Sequence, residues 1–171
     1  IYNDINKEEL DFLYFKLFES ITKKFPVLEY KSVIDLGCGT GYLLNRMYHD
    51  SLFKFYYGVD VSNSMLAEAK RTNKKIYYFL SSIDNFQFEK VKDLIVCTNE
   101  VINYLNPIQR RSLFQNVKKY LAKKGVFFLS FDTAHDIRNV WDNQTRNLVG
   151  KTWKATFHYR YDKHSDLGIE T

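Results

Sequence analysis

Val33-Ile34-Asp35-Leu36-Gly37-Cys38-Gly39-Thr40-Gly41 is the stretch from which the rest of the chain can be read. A short apolar run, Val33 to Leu36, passes directly into glycines at every second position, 37, 39 and 41. An apolar run of that length bounded by glycine reads as a buried strand. Glycine lets the backbone turn sharply and come close to a ligand. The dinucleotide fingerprint G-x-G-x-x-G would require a third glycine at position 42, and that position is Tyr42. The loop is G-x-G-x-G, which makes an NAD-type oxidoreductase the least favoured reading.

The segments around this loop repeat its pattern. Residues 7–24 read as an amphipathic helix, capped by Asn6, with Leu10, Leu13, Leu17 and Ile21 on one face and Pro26 beyond its end. A helix follows the glycines from Tyr42 to His49, then a second strand over Phe55–Val59 that ends at Asp60. Ser62 or Asn63 can cap a helix through Met65, Leu66 and Ala69. Ile76–Leu80 and Asp93–Cys97 read as the third and fourth strands. Asn106-Pro107 opens a helix whose predicted apolar face is Ile108, Phe114, Val117 and Leu121, stopped by Gly125. Val126–Phe131 is the fifth strand. Alternating strands and helices predict an α/β fold: a doubly wound, mainly parallel sheet with helices on both faces and right-handed crossovers.

After Phe131 the pattern changes. Residues 132–150 are polar and read as a loop or broken helix. Thr152–Asp162 then alternates strictly, with Trp153, Ala155, Phe157, Tyr159 and Tyr161 on one side and Lys154, Thr156, His158, Arg160 and Asp162 on the other. That is a half-buried antiparallel strand. His164–Gly168 reads as a turn and Ile169 as the start of a returning strand. The expected organisation is therefore a core over 1–131 and a C-terminal antiparallel segment over 132–171. The aromatic face of that segment fits a substrate wall or a small core about equally well.

In doubly wound sheets, ligands bind where the strands end. Asp35 stands two residues before the first glycine. Asp60 ends the second strand nineteen residues after Gly41, and a carboxylate there can accept hydrogen bonds from both hydroxyls of a ribose. Read together, the glycine-loop segment, Gly58-Val59-Asp60-Val61-Ser62-Asn63-Ser64-Met65-Leu66, and Asp93-Leu94-Ile95-Val96-Cys97 followed by Asn103-Tyr104-Leu105 resemble three motifs of the class I S-adenosylmethionine (SAM) dependent methyltransferases, small-molecule branch. The resemblance runs through about residue 131. It implies SAM as methyl donor and S-adenosylhomocysteine as product. It implies that Gly37, Cys38, Gly39 and Gly41 shape the loop around the methionine part, with Asp35 near its ammonium and Asp60 on the ribose. By the same resemblance Val61 and Met65 pack near the adenine, Ser82 and Ile83 flank its rim, and Thr98 and Asn99 sit near the sulfonium. The family often has an acid at the position of Ser82; here the nearest one is Asp84.

Because the sulfonium methyl is already activated, positioning and exclusion of water carry much of such a reaction, and a base is required only for some acceptors. Glu100, His135 and His158 are the candidates, each with an ordinary surface role as the stronger reading, so no catalytic residue is assigned. Thr98-Asn99-Glu100-Val101 replaces the Asn-Pro-Pro-Tyr of many amide and exocyclic-amine methyltransferases and argues against those substrates.

The 171 residues suit one domain with a sizeable core, 45% apolar and 26% charged. No apolar run is long enough for a bilayer span, and Cys38 and Cys97 give neither a disulfide framework nor a metal cluster. No metal is expected, and the cytoplasm is the default compartment. The net charge of +5 is scattered in lysine pairs near helix ends rather than gathered in one stripe, which disfavours a nucleic-acid partner. A small-molecule acceptor is the leading expectation. RNA or protein methylation and a non-catalytic SAM-binding domain are the alternatives. The chain opens at Ile1 and reads as a piece of a longer one. Residues 152–171 are then a substrate-side insertion rather than the closing strand pair of the sheet, and a homodimer could complete it.

Overall fold

The computed structural model describes residues 7–24, 31–149, 154–165 and 167–170. They form two compact units, one from Lys7 to Phe131 and the other within Asp132–Thr171. The expected cap Asn6, the helix-ending Pro26 and the aromatic Trp153 lie outside the described residues.

In the first unit, helix α1 spans Lys7–Lys24 and strand β1 spans Ser32–Leu36. They are followed by α2 (Tyr42–His49), β2 (Phe55–Asp60), α3 (Asn63–Thr72), β3 (Tyr77–Leu80) and β4 (Lys92–Cys97). A 3-10 turn at Val101–Tyr104 leads to α4 (Pro107–Tyr120) and β5 (Leu121–Leu129). All five strands pair in parallel in the order β3-β2-β1-β4-β5. The order reverses beside β1, so the crevice of the sheet opens at the carboxyl ends of β1 and β4.

Every residue of β1 is buried, and alternate positions feed two cores. Val33 with Leu94 and Val96 of β4 packs against Tyr14 and Leu17 of α1, Leu43, Leu44 and Met47 of α2, and Leu66 of α3. Ile34 and Leu36 with Ile95 and Cys97 pack against Leu113, Val117 and Tyr120 of α4. A strand buried on both faces needs apolar side chains at successive positions; the polar residues buried in β1 are Ser32 at its entry and Asp35, at 3% exposure, near its exit. At the entry end, the Asp93 carboxylate accepts from the Lys31 and Ser32 N–H groups, both at 2.9 Å, and ties β1 to β4.

Helix α4 starts where the sequence predicts. Asn106 Oδ1 accepts from the Ile108 and Gln109 N–H groups, and Gln109 Oε1 accepts from the Asn106 N–H. Its buried face differs from the expected one. Leu113, Val117 and Tyr120 point inward, whereas Ile108 is 78% exposed. The helix ends at Tyr120, and Leu121 already has strand geometry, so the stripe cannot run through it. Gly125 does not cap the helix. It lies inside β5, at the register shift opposite Lys92–Leu94, where a Cβ would come within 2.8 Å of the Asp93 carbonyl.

The second unit has a helical turn at Ala134–Asp136 that continues as a wider turn over Ile137–Trp141, then β6 (Gln144–Val149), β7 (Lys154–Asp162) and β8 (Leu167–Glu170). The three strands form a separate antiparallel sheet in the order β6-β7-β8. β6, read as loop in the sequence, pairs residue by residue with β7 from Gln144↔Tyr159 to Val149↔Lys154. The aromatic face of β7 packs within its own unit. The Tyr159 ring meets Trp141 edge-on at 5.3 Å, and the Arg138 guanidinium lies 5.6 Å over the Tyr161 ring.

Candidate active site

Gly37, Gly39 and Gly41 all have left-handed backbone, with φ of 79°, 51° and 73°. A Cβ at Gly37 would sit 2.6 Å from a Val101 methyl, and one at Gly41 would sit 2.5 Å from the Tyr78 hydroxyl. Glycine is therefore required here on two counts, conformation and space. The loop is held against the end of β2. The N–H groups of Gly37 and Cys38 donate to the Val59 carbonyl at 2.8 and 3.1 Å. The Gly39 N–H donates to Asp60 Oδ2 at 2.8 Å, and the Ser62 N–H donates to Asp60 Oδ1 at 2.8 Å. Asp60 thus joins the glycine loop to the start of α3, a role that its place at a strand end did not reveal. Ser62, rather than Asn63, caps α3 by accepting from the Met65 N–H at 3.3 Å.

Asp35 lies beneath this loop. Burial first, and the charge of Asp60 second, push its carboxyl up to about 7. No hydrogen bond to its side chain is formed among the described residues. A buried carboxylate of that kind is costly unless a cation or donor meets it. Cys38, in the glycine loop after β1, and Cys97, at the end of the neighbouring β4, are buried free thiols. Burial, then Asp35, raises both, Cys97 to about 12, so neither behaves as a thiolate nucleophile.

The remaining predicted residues border the same edge of the sheet. Val61 is 68% exposed just after Asp60, and Met65 is half-buried one turn into α3. Ser82 Oγ donates to Asp84 Oδ1, which places the acid missing at position 82 two residues further on. The Ile83 side chain is buried in the α4-side core, leaving only its backbone for a rim contact. Thr98 is buried at the exit of β4. Asn99 and Glu100 follow with left-handed φ of 59° and 55°. Two consecutive non-glycine residues in that region store strain, which accumulates at functional sites. Of the three base candidates, Glu100 accepts from Ser130 Oγ at 3.2 Å, joining the exits of β4 and β5. His135 and His158 belong to the second unit and are exposed. His135 lies beside Asn139 Nδ2 at 3.2 Å, and His158 beside Thr145 Oγ1 at 3.2 Å.

The methyltransferase domain family matches residues 33–125, more than half of the chain. The chain belongs to that family. Its sheet order and glycine loop are those of the class I, SAM-dependent fold. It is 31% identical over 108 residues to carboxy-S-adenosyl-L-methionine synthase 1 of Yersinia pseudotuberculosis serotype IB (strain PB1/+), covering 58% of this chain and 44% of the relative. It is 26% identical over 118 residues to the malonyl-[acyl-carrier protein] O-methyltransferase of Bacillus anthracis, covering 67% and 42%. SAM-bound CalS10, an amino pentose methyltransferase of Micromonospora echinaspora, superposes with a TM-score of 0.71 at 17% identity, covering 91% of this chain and 64% of that one. The chain spans less than half the length of the two curated relatives.

The cleft's chemistry fits SAM on its own terms. SAM brings an ammonium, a sulfonium, a ribose diol and no phosphate. The strand exits offer a buried carboxylate, a second carboxylate at a strand end, and a loop that admits close backbone approach.

Proposed function

We propose that the Lys7–Phe131 unit binds SAM at the carboxyl ends of β1, β2 and β4 and transfers its methyl group to a small-molecule acceptor by in-line displacement. The observation that carries this reading is the pairing of Asp35 and Asp60 around one glycine loop: a buried acid below it and a bridging acid beside it. In this reading Asp35 meets the ammonium of the methionine part, and Gly37, Cys38, Gly39 and Gly41 wrap that part closely. Asp60 accepts from the ribose hydroxyls while keeping its two backbone N–H bonds; each carboxylate oxygen has a second lone pair for this. Val61 and Met65 cover the adenine. The Ser82–Asp84 pair and the Ile83 backbone border its amino edge. Thr98 and Asn99 line the sulfonium end.

When bound, SAM supplies an electrophilic methyl group. The protein's part is to orient it, exclude water and present the acceptor in line. A long RNA would require cations beside the mouth to meet phosphates, whereas the residues just after each strand of the sheet carry none. That favours a small acceptor.

Calorimetry with SAM and S-adenosylhomocysteine tests the reading. Both should bind one site per chain, and Asp60→Ala should abolish measurable binding of either. Unchanged binding in Asp60→Ala would move the cofactor elsewhere.

A further inference from the structure

The two rims of the parallel sheet differ in charge. Lys31, Lys54, Lys74, Lys75, Lys90, Lys92, Lys123 and Lys124 stand at or next to the entries of the five strands, against the acids Asp50, Glu89 and Asp93. At the exits, none of residues 37–41, 61–65, 81–85, 98–102 or 130–131 is Lys, Arg or His. The charged residues within these stretches are Asp84 and Glu100, with Asp35 and Asp60 in the strand ends before them. Arg110 of α4 reaches the β4 exit loop, where it donates to the Asn103 carbonyl at 3.4 Å.

The sheet order places these acids. Asp60 marks the ribose end over β2 and Asp35 the methionine end over β1. The acceptor must approach from beyond the methionine end, over the exits of β4 and β5. Glu100 stands there. Its carboxylate is anchored from β5 by the Ser130 hydroxyl, whose own N–H donates to the Cys97 carbonyl at 3.0 Å. Large apolar side chains lie open around the same exits: Tyr104 at 83%, Ile108 at 78% and Phe131 at 57% exposure. A carboxylate and exposed aromatic rings on the same strand exits suit a cationic nitrogen on an apolar frame. The same surroundings disfavour a carboxylate acceptor, which would meet Glu100 with like charge; the cation that reaches this loop, Arg110, donates to the Asn103 carbonyl.

We infer that the acceptor is an amine that binds as its ammonium form, held by the Glu100 carboxylate and covered by the apolar rim of Tyr104 and Phe131; the ammonium passes one proton to Glu100, and the freed lone pair forms the N–CH3 bond as the sulfonium S–CH3 bond breaks and S-adenosylhomocysteine leaves. Glu100 is thus a specificity-determining residue. The inference rests on the methyltransferase reading of the same site.

The test uses the protein saturated with S-adenosylhomocysteine and three probes of one frame: cyclohexylammonium, cyclohexanol and cyclohexanecarboxylate. Binding is followed by ligand-observed NMR with titration. Cyclohexylammonium should bind best, and Glu100→Gln should weaken it by about tenfold, the loss expected for one charge-assisted hydrogen bond. Glu100→Asp should recover part of that loss. Affinity for S-adenosylhomocysteine, measured first, should stay within about twofold in both variants. Carboxylate binding equal to or tighter than ammonium binding overturns the inference. So does ammonium binding that is unchanged in Glu100→Gln or absent in the parent protein. Failure of S-adenosylhomocysteine itself to bind would instead remove the underlying methyltransferase reading.

Discussion

The parallel unit and the antiparallel unit reach order by different means. β1 and β4 are sealed on both faces, with Val33, Ile34, Leu36, Leu94, Ile95, Val96 and Cys97 at 7% exposure or less across the two strands and the loop they border. In the β6-β7-β8 sheet no described side chain is buried to that degree; Phe157, Tyr159 and Tyr161 are half-exposed, and the unit relies on ring contacts to Trp141 and Arg138. Burying a large aliphatic side chain stabilises by roughly 1.5–3 kcal/mol. The rigid scaffold is therefore the parallel sheet, and its exit edge can hold strained backbone at Asn99 and Glu100. The antiparallel unit has less holding it in place and can change shape at lower cost.

Substitutions can break this contrast or sharpen it. The largest effect is expected from Gly37→Val, where the new Cβ meets Val101 methyls at 2.6 and 2.7 Å on a left-handed backbone. It should cost about 3 kcal/mol or more in thermal unfolding of the parallel unit. A melting temperature equal to that of the parent would show that the loop is not tightly packed. Asp60→Asn comes next. It removes charge from the acid that accepts from both Gly39 and Ser62, and should weaken SAM binding tenfold or more by calorimetry, roughly 1.5–3 kcal/mol.

A pH effect follows in size. With the Asp35 carboxyl at about 7, the folded protein holds a proton there that the unfolded chain releases in the ordinary carboxylate range. Its contribution to stability without ligand is therefore present at low pH and lost as pH rises toward and through about 7. A cationic ammonium pairs with the ionised form, so SAM affinity should rise about tenfold between pH 6 and pH 8, with proton release from Asp35 on binding that is nearly complete at pH 6 and fades by pH 8. Asp35→Asn should flatten that profile. A steep profile in Asp35→Asn would place the titrating group elsewhere. The smallest effect belongs to the other unit. Trp141→Ala removes the edge-on contact with Tyr159, worth about 0.5–1.5 kcal/mol beyond area. Limited proteolysis within 132–170 should speed up while SAM affinity stays the same. Joint loss of both would mean that the units are less independent than their separate sheets suggest.

The legibility of the sequence follows the same division. Val33–Leu36 and Phe55–Val59 were readable because buried parallel strands demand mostly apolar runs, with the acids Asp35 and Asp60 near their exits, and Asn106-Pro107 because capping chemistry is local. β6 was not readable: Gln144-Thr145-Arg146-Asn147 lies in a sheet that buries little, so its side chains carry no alternation. The α4 stripe was misread because Leu121 belongs to the strand, and nothing local separates a helical from an extended leucine. In the site, the glycines and the two acids were visible as residue types at strand ends. The bond from Gly39 to Asp60 and the clamp of Ser130 on Glu100 join residues 21 and 30 apart and exist only once the strands are aligned. The Asn99–Glu100 backbone strain had no glycine to announce it.

The central claim, that the cleft over β1 and β2 is a SAM site and not a dinucleotide site, is tested most directly by thermal unfolding with each ligand at matched concentration. At about a hundred times Kd, SAM should stabilise the chain by about 2.7 kcal/mol, visible as a rise of several degrees in melting temperature, and NAD should leave it unmoved. A shift with NAD and none with SAM would contradict the account.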